Sequence, residues 1–168
     1  MLNIPQLHAT FIIPQKCAST SIKKAIRDYI GVSDADWKNW ERKHLVDEPI
    51  GEVIQIVRNP YDRLVSCYIN QCLGSDRFGL GKCSFGEFVD YVVRADEVDK
   101  HFAPFWKGDA NIVIRFETLK EDWSREIGVR ELKHENKSDR LHWSAYYDER
   151  TLGLVYNYYK DDFERFGY

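Results

Sequence analysis

The chain has 168 residues, 43% of them hydrophobic and 14% aromatic, which supports a packed core and excludes a disordered segment. Its formal net charge of −3 lacks the basic surplus of a nucleic-acid binder. No apolar run approaches the roughly 18 residues of a membrane span, and residues 1–10 lack signal-peptide features, so no membrane partner and a cytoplasmic location are expected.

Residues 8–13, His-Ala-Thr-Phe-Ile-Ile, read as a buried strand. A polar turn follows, Pro14-Gln-Lys16-Cys17-Ala18-Ser19-Thr20-Ser21. Ser19 or Thr20 is expected to cap a helix to about Ile30, with Ile22, Ala25, Ile26 and Tyr29 on one face. Residues 33–50 are rich in Trp and charge, with room for a short helix.

Residues 52–57 form a second strand, followed by Arg58 and a helix with Pro60 in its first turn. Gly74 to Gly81 is a loop flanked by Cys72 and Cys83, which can pair in an oxidising setting. With Cys17 and Cys67 they make four cysteines and no C-x-x-C pair, so no zinc is expected. Ser84 and Glu87 spell a capping box for a helix with Phe85, Phe88, Val89, Val92 and Val93 on its apolar face. Residues 111–116 are a third strand, 117–124 a short helix, 126–145 a long loop, and a last helix begins near Asp148. Strands alternating with helices predict an α/β fold with a mainly parallel sheet, whose ligands collect at the carboxyl ends of the strands.

Both polar turns lie at such ends. The first offers Lys16 and three hydroxyls at a helix N-terminus, where unpaired N–H groups attract phosphate. It is not a Walker A loop, because it has no glycine and its lysine precedes the hydroxyls by three residues. The second strand runs into Arg58, where P-loop NTPases often place a metal-holding aspartate. A cation there attracts phosphate and disfavours a metal-dependent kinase. Asp62 and Glu117 are the acids with which Arg58 would form a purely structural ion pair.

These segments resemble the PAPS-dependent sulfotransferases, and the carbohydrate sulfotransferases more than the aryl or steroid branch. Lys16-Cys-Ala-Ser-Thr-Ser21 is similar to their 5′-phosphosulfate loop, and Arg58-Asn-Pro-Tyr-Asp-Arg-Leu-Val-Ser66 to their 3′-phosphate motif. The similarity extends in order through His101-Phe-Ala-Pro104, Val113-Ile-Arg-Phe-Glu117, His134-Glu-Asn136-Lys137-Ser138 and the terminal Asp162-Phe-Glu-Arg-Phe-Gly-Tyr168. One departure is Gln15 directly before the lysine, where many relatives have proline.

The resemblance implies a single sulfotransferase domain over residues 1–168. Its fold would be P-loop-NTPase-like, a three-layer arrangement of a mainly parallel sheet flanked by helices. It implies 3′-phosphoadenosine 5′-phosphosulfate (PAPS) as donor, adenosine 3′,5′-bisphosphate as product, no metal, and a small-molecule or glycan hydroxyl as acceptor. Lys16 would contact the phosphosulfate and stabilise the leaving charge. Cys17, Ala18, Ser19, Thr20 and Ser21 would complete the 5′ loop, Arg58 and Ser66 would bind the 3′-phosphate, and Asn136, Lys137 and Ser138 would close over the nucleotide. The acceptor needs a base. His44 is the first candidate and His101 its rival, with Glu41 and Glu48 behind them. The alternatives are a non-catalytic binder of the bisphosphate and a small kinase of the same fold.

Overall fold

The structure, a computed structural model, describes residues 1–128, 132 and 140–168. In chain order its elements are β1 (Leu2–Ile4), β2 (Ala9–Ile12), α1 (Ser19–Ile30), α2 (Asp34–Lys43), β3 (Glu52–Val57), α3 (Pro60–Cys67), α4 (Phe85–Arg94), β4 (Ile112–Arg115), α5 (Leu119–Glu126), α6 (Glu149–Tyr158) and α7 (Lys160–Phe166). Shorter 3₁₀ turns and one π-helical turn, Tyr68–Leu73, join them. The chain divides into two compact units, Met1–Val57 with Trp106–Lys137, and Arg58–Phe105 with Ser138–Tyr168.

The first unit holds the sheet, in the order β1-β2-β3-β4. β2, β3 and β4 are parallel, in a register that sets Phe11 opposite Ile54 and Ile54 opposite Ile112. This is the mainly parallel α/β sheet that the alternation predicts. β1 pairs antiparallel to β2 and adds an edge strand that the sequence pattern does not show. Every residue of β2 and the last five of β3 are buried, which explains why these strands read as apolar runs without alternation. Phe11, Ile22, Ile26, Ile56, Ile114 and Trp123 are 0% exposed, and each such side chain contributes about 1.5–3 kcal/mol by leaving water. Gly51 has φ +73°, and a Cβ there would stand 2.1 Å from the His8 carbonyl oxygen. Only glycine admits that approach, which lets Glu52 N–H reach His8 O and start β3 in register.

The second unit is helical. Leu64, Val65, Phe88, Val89, Phe102, Val155, Tyr159 and Phe163 pack into its core. Ser84 and Glu87 form the expected capping box at the start of α4. Asp148 caps α6 through its bond with the Thr151 N–H. The last helical stretch is two helices, because Tyr159, at φ −107° and ψ 23°, leaves helical geometry between α6 and α7.

Candidate active site

The Lys16 turn leaves β2 and enters α1. Lys16 has φ 66° and Ala18 has φ 56°, so two residues with side chains hold left-handed backbone around Cys17. That conformation is costly for residues other than glycine and concentrates at functional sites. Left-handed residues alternating with an ordinary one turn successive N–H groups toward a common side, the anion-binding nest of many phosphate sites.

The N-cap of α1 is Ala18 and not Ser19 or Thr20, which are its first helical residues. Alanine has no side-chain acceptor, so the N-cap residue itself makes no side-chain cap hydrogen bond. The N-terminal donors and partial positive charge of α1 are thereby suited to an external anion. Ser19 is half-buried, Thr20 exposed and Ser21 buried. The Cys17 side chain is fully buried, so Cys17 would serve a ligand through its backbone, and its N–H also reaches Pro14 O at 3.3 Å. Ala18 and Ser21 line a cleft of about 150 Å³ with Phe116, Glu117, Leu119 and Leu132.

His44 belongs to the same unit, at the C-terminal end of α2. That helix buries no residue and is tied to α1 by Lys23–Glu41 at 2.5 Å and by Arg27–Asp34. Glu41 is thus engaged in an ion pair. The His44 ring stacks on Trp40 at 3.8 Å, and Trp40 stacks on Trp37 at 5.4 Å. His44 Nδ1 lies 2.7 Å from the Trp40 carbonyl oxygen.

The Arg58–Ser66 segment opens the second unit. β3 ends at Val57 and the chain passes directly into Arg58. Asn59 caps α3 by accepting the Tyr61 N–H at 2.9 Å, and Pro60 occupies the first turn, where its missing N–H costs nothing. Arg58 and Ser66 are 6% and 7% exposed. Of the two acids that the sequence offers Arg58, Asp62 is a partner. Its Oδ2 accepts from Arg58 Nε at 2.9 Å and from Nη2 at 2.6 Å. Its Oδ1 accepts from Arg140 Nη2. Burial pushes the Asp62 carboxyl up, but the charge of Arg58 and the bonds from both arginines outweigh it and hold it below its ordinary value. Arg63 turns the other way, donating from Nη1 to Ala103 O at 2.7 Å and lying 4.7 Å over the Phe105 ring.

His101 sits in this second unit, 8% exposed, with Nδ1 2.6 Å from Asp99 Oδ1. Asp99 also accepts from Arg77. The structure therefore runs Lys16 to Ser21 through one turn into the start of α1, and sets Arg58 just before α3 with Ser66 inside that helix. It places His44 in the first unit and His101 in the second. Asn136, Lys137 and Ser138 lie outside the described residues. Arg140 and Asp99 escape sequence reasoning: Arg140 meets Asp62 across 78 residues, and no local pattern announces such a contact. Among the described residues, no group of three or more His, Cys, Asp or Glu is placed to hold a metal ion. No helix among them is long and apolar enough to cross a membrane.

No curated protein and no solved structure matches this chain. The family model described as the sulfotransferase family does match, over residues 9–168, a span that begins with β2 and takes in the Lys16 turn, the Arg58 helix and the terminal helices. The chain belongs to the sulfotransferase family.

Proposed function

We propose that this sulfotransferase uses PAPS as donor and a carbohydrate hydroxyl as acceptor. The observation that carries the donor is the Lys16–Ala18 turn. Left-handed backbone at two residues with side chains, a lysine and a helix whose N-cap residue has no side-chain acceptor together support a seat there for a terminal phosphosulfate. Lys16 would hold the phosphosulfate and balance the charge that develops on the oxygen bridging sulfur and phosphorus. Ser19, Thr20 and Ser21 would donate to the 5′-phosphate, with the Cys17 and Ala18 backbone. Arg58 and Ser66 would take the 3′-phosphate, the group that separates PAPS from ATP. Asn136, Lys137 and Ser138 are proposed to cover the nucleotide.

PAPS supplies an activated sulfuryl group. The acceptor oxygen bonds to sulfur, the bond from sulfur to the bridging oxygen breaks, and that electron pair stays with the 5′-phosphate. The acceptor proton goes to a protein base. The protein's part is positioning and charge stabilisation, as in phosphoryl transfer. The carbohydrate assignment rests on the likeness to carbohydrate sulfotransferases. It is supported by Trp37 and Trp40, half-buried on a helix that buries no residue, since amphipathic rings of this kind suit the faces of a sugar.

The test is transfer of label from radiolabelled PAPS to a panel of glycans and simple alcohols, with and without excess chelator. Labelled glycan in both conditions supports the reading. Binding of adenosine 3′,5′-bisphosphate with no transfer to any acceptor points instead to a non-catalytic binder. Magnesium-dependent phosphoryl transfer from ATP points to a kinase.

A further inference from the structure

The loop from Gly74 to Gly81 has a cysteine on each side of its base. Cys72 lies in the Tyr68–Leu73 π-helical turn and is buried. Cys83 directly precedes Ser84, the N-cap of α4, and is half-buried. Their Sγ atoms are 3.1 Å apart. Backbone bonds fix both residues. The Cys72 carbonyl accepts the Asp76 N–H at 3.1 Å, and the Cys83 carbonyl accepts from Tyr68 Oη at 2.7 Å. Tyr68 opens the turn that carries Cys72, so the two cysteine-bearing segments are tied together beside the sulfurs. Its ring also meets Phe85, in the first turn of α4, edge-on at 5.3 Å. Phe78, inside the loop, packs with its ring 5.8 Å from Phe88, 5.6 Å from Tyr91 and 5.7 Å from Phe102. The loop is thus seated on the helical core, with its two thiols held face to face.

A disulfide holds its sulfurs about 2.05 Å apart. These two already stand closer than van der Waals contact, and the remaining approach of about 1 Å needs only small side-chain rotations. Burial, and then the hydrogen bond with Cys83, push the Cys72 thiol up to about 12. At neutral pH Cys72 therefore keeps its proton and points it at Cys83. A cysteine attacks as its thiolate and needs access to its partner. Cys83 is the sulfur of the pair that solvent reaches, so it meets an incoming oxidant first. Once Cys83 is capped, Cys72 is the thiol beside it, and proximity compensates for its small thiolate fraction.

We propose that Cys72 and Cys83 are a reversible disulfide site that locks the Gly74–Gly81 loop, with Cys83 the entry thiol and Cys72 the resolving thiol. The oxidant is a low-molecular-weight disulfide of the glutathione class. Cys83 thiolate attacks one sulfur of that disulfide, its S–S bond breaks, and one glutathione thiolate leaves. Cys72 then gives its proton to solvent and attacks the Cys83 sulfur. The mixed S–S bond breaks and the second glutathione thiolate leaves. The protein gives up two electrons and two protons, and the oxidant becomes two thiols. Excess reduced glutathione runs the same steps backward.

The test needs no turnover, so it stands or falls apart from the donor reading. The folded full chain is equilibrated in mixtures of reduced and oxidised glutathione, quenched with acid, alkylated after denaturation and digested with trypsin. Cleavage after Arg63, Arg77, Lys82 and Arg94 puts Cys72 in residues 64–77 and Cys83 in residues 83–94. Oxidised wild type should yield these two peptides linked, two hydrogen atoms lighter than their sum, with Cys17 and Cys67 alkylated. Excess reduced glutathione should release them. Cys67, which shares the first peptide, is set aside by Cys67→Ser, which should keep the link. Cys72→Ser should stop at a glutathione adduct on Cys83, whereas Cys83→Ser should take up glutathione at Cys72 at least about tenfold more slowly. The link closes a loop of about a dozen residues and should raise the melting temperature of wild type by roughly 5–10 °C over its reduced form, with no such rise in either serine variant of the pair. A wild type that halts at the Cys83 adduct overturns the proposal. So does a link that runs through Cys67, one that forms only after unfolding, or one that leaves the melting temperature unchanged.

Discussion

Asp62→Asn tests the claim that one carboxylate organises the Arg58 turn. Asp62 accepts three charge-assisted bonds, two from Arg58 and one from Arg140. The three side chains are 8%, 17% and 11% exposed for Arg58, Asp62 and Arg140. Removing one partner of a buried ion pair costs about 3–5 kcal/mol, and the residual exposure of Asp62 places this case near about 3 kcal/mol. For a chain of this length each kcal/mol moves the melting temperature by about 2–4 °C, so the variant should melt roughly 6–12 °C below wild type.

The acid dependence has a definite sign. The folded carboxyl lies below its ordinary value, so its stabilisation is fully present above the unfolded aspartate value near ~3.9. It is lost as the pH falls through the depressed folded value. The gap between wild type and variant should therefore be full at neutral pH and close in acid. The assay is thermal unfolding followed by tryptophan fluorescence at neutral and acid pH. A drop under about 2 °C at neutral pH, or a gap that widens in acid, would refute the reasoning. If Arg58 also serves a ligand phosphate, the same variant should bind adenosine 3′,5′-bisphosphate at least as tightly as wild type, because the competing carboxylate is gone.

Calorimetry should find adenosine 3′,5′-bisphosphate bound roughly 10- to 150-fold more tightly than 5′-AMP, the range of one charge-assisted contact of about 1.5–3 kcal/mol, and Arg58→Ala should erase the difference. Equal affinities on wild type would remove Arg58 from phosphate recognition. Lys16→Ala should both weaken PAPS binding and slow single-turnover transfer, as follows from its proposed place at the phosphosulfate before and during bond breaking; an unchanged rate at saturating donor would remove Lys16 from the chemistry. The thiols of Cys72 and Cys83 lie 3.1 Å apart, and burial with the bond to Cys83 pushes the Cys72 thiol up to about 12. Mass mapping after iodoacetamide at mildly alkaline pH should therefore find half-buried Cys83 labelled well before Cys72; labelling in the reverse order would contradict the buried placement of Cys72.

What could be read from this sequence is local. β2 and β3 are legible as apolar runs because parallel strands buried on both faces leave no polar residue to break them. Ser84 with Glu87, Pro60 after Asn59, and Asp148 before α6 mark helix starts because a cap is satisfied within three residues. The two segments proposed to bind anions stand out for the same reason, since each is one turn of chain following one strand. β1 is three residues long and gains its hydrogen bonds from β2, so nothing within it signals a strand. The cap of α1 is misread by one or two residues because the left-handed backbone at Lys16 and Ala18, not hydroxyl chemistry, decides where the helix begins. Asp62 is an evident partner for Arg58 at one helical turn, but Arg140 reaches it only through the fold. Likewise the sequence offers His44 first and His101 second as candidate bases, with no view of their partners. Only tertiary structure gives one of them an ionised carboxylate anchored by Arg77, and the other a backbone carbonyl. Hydrogen bonds across 22 or 78 residues depend on where packing brings the chain, and no periodicity or cap encodes that.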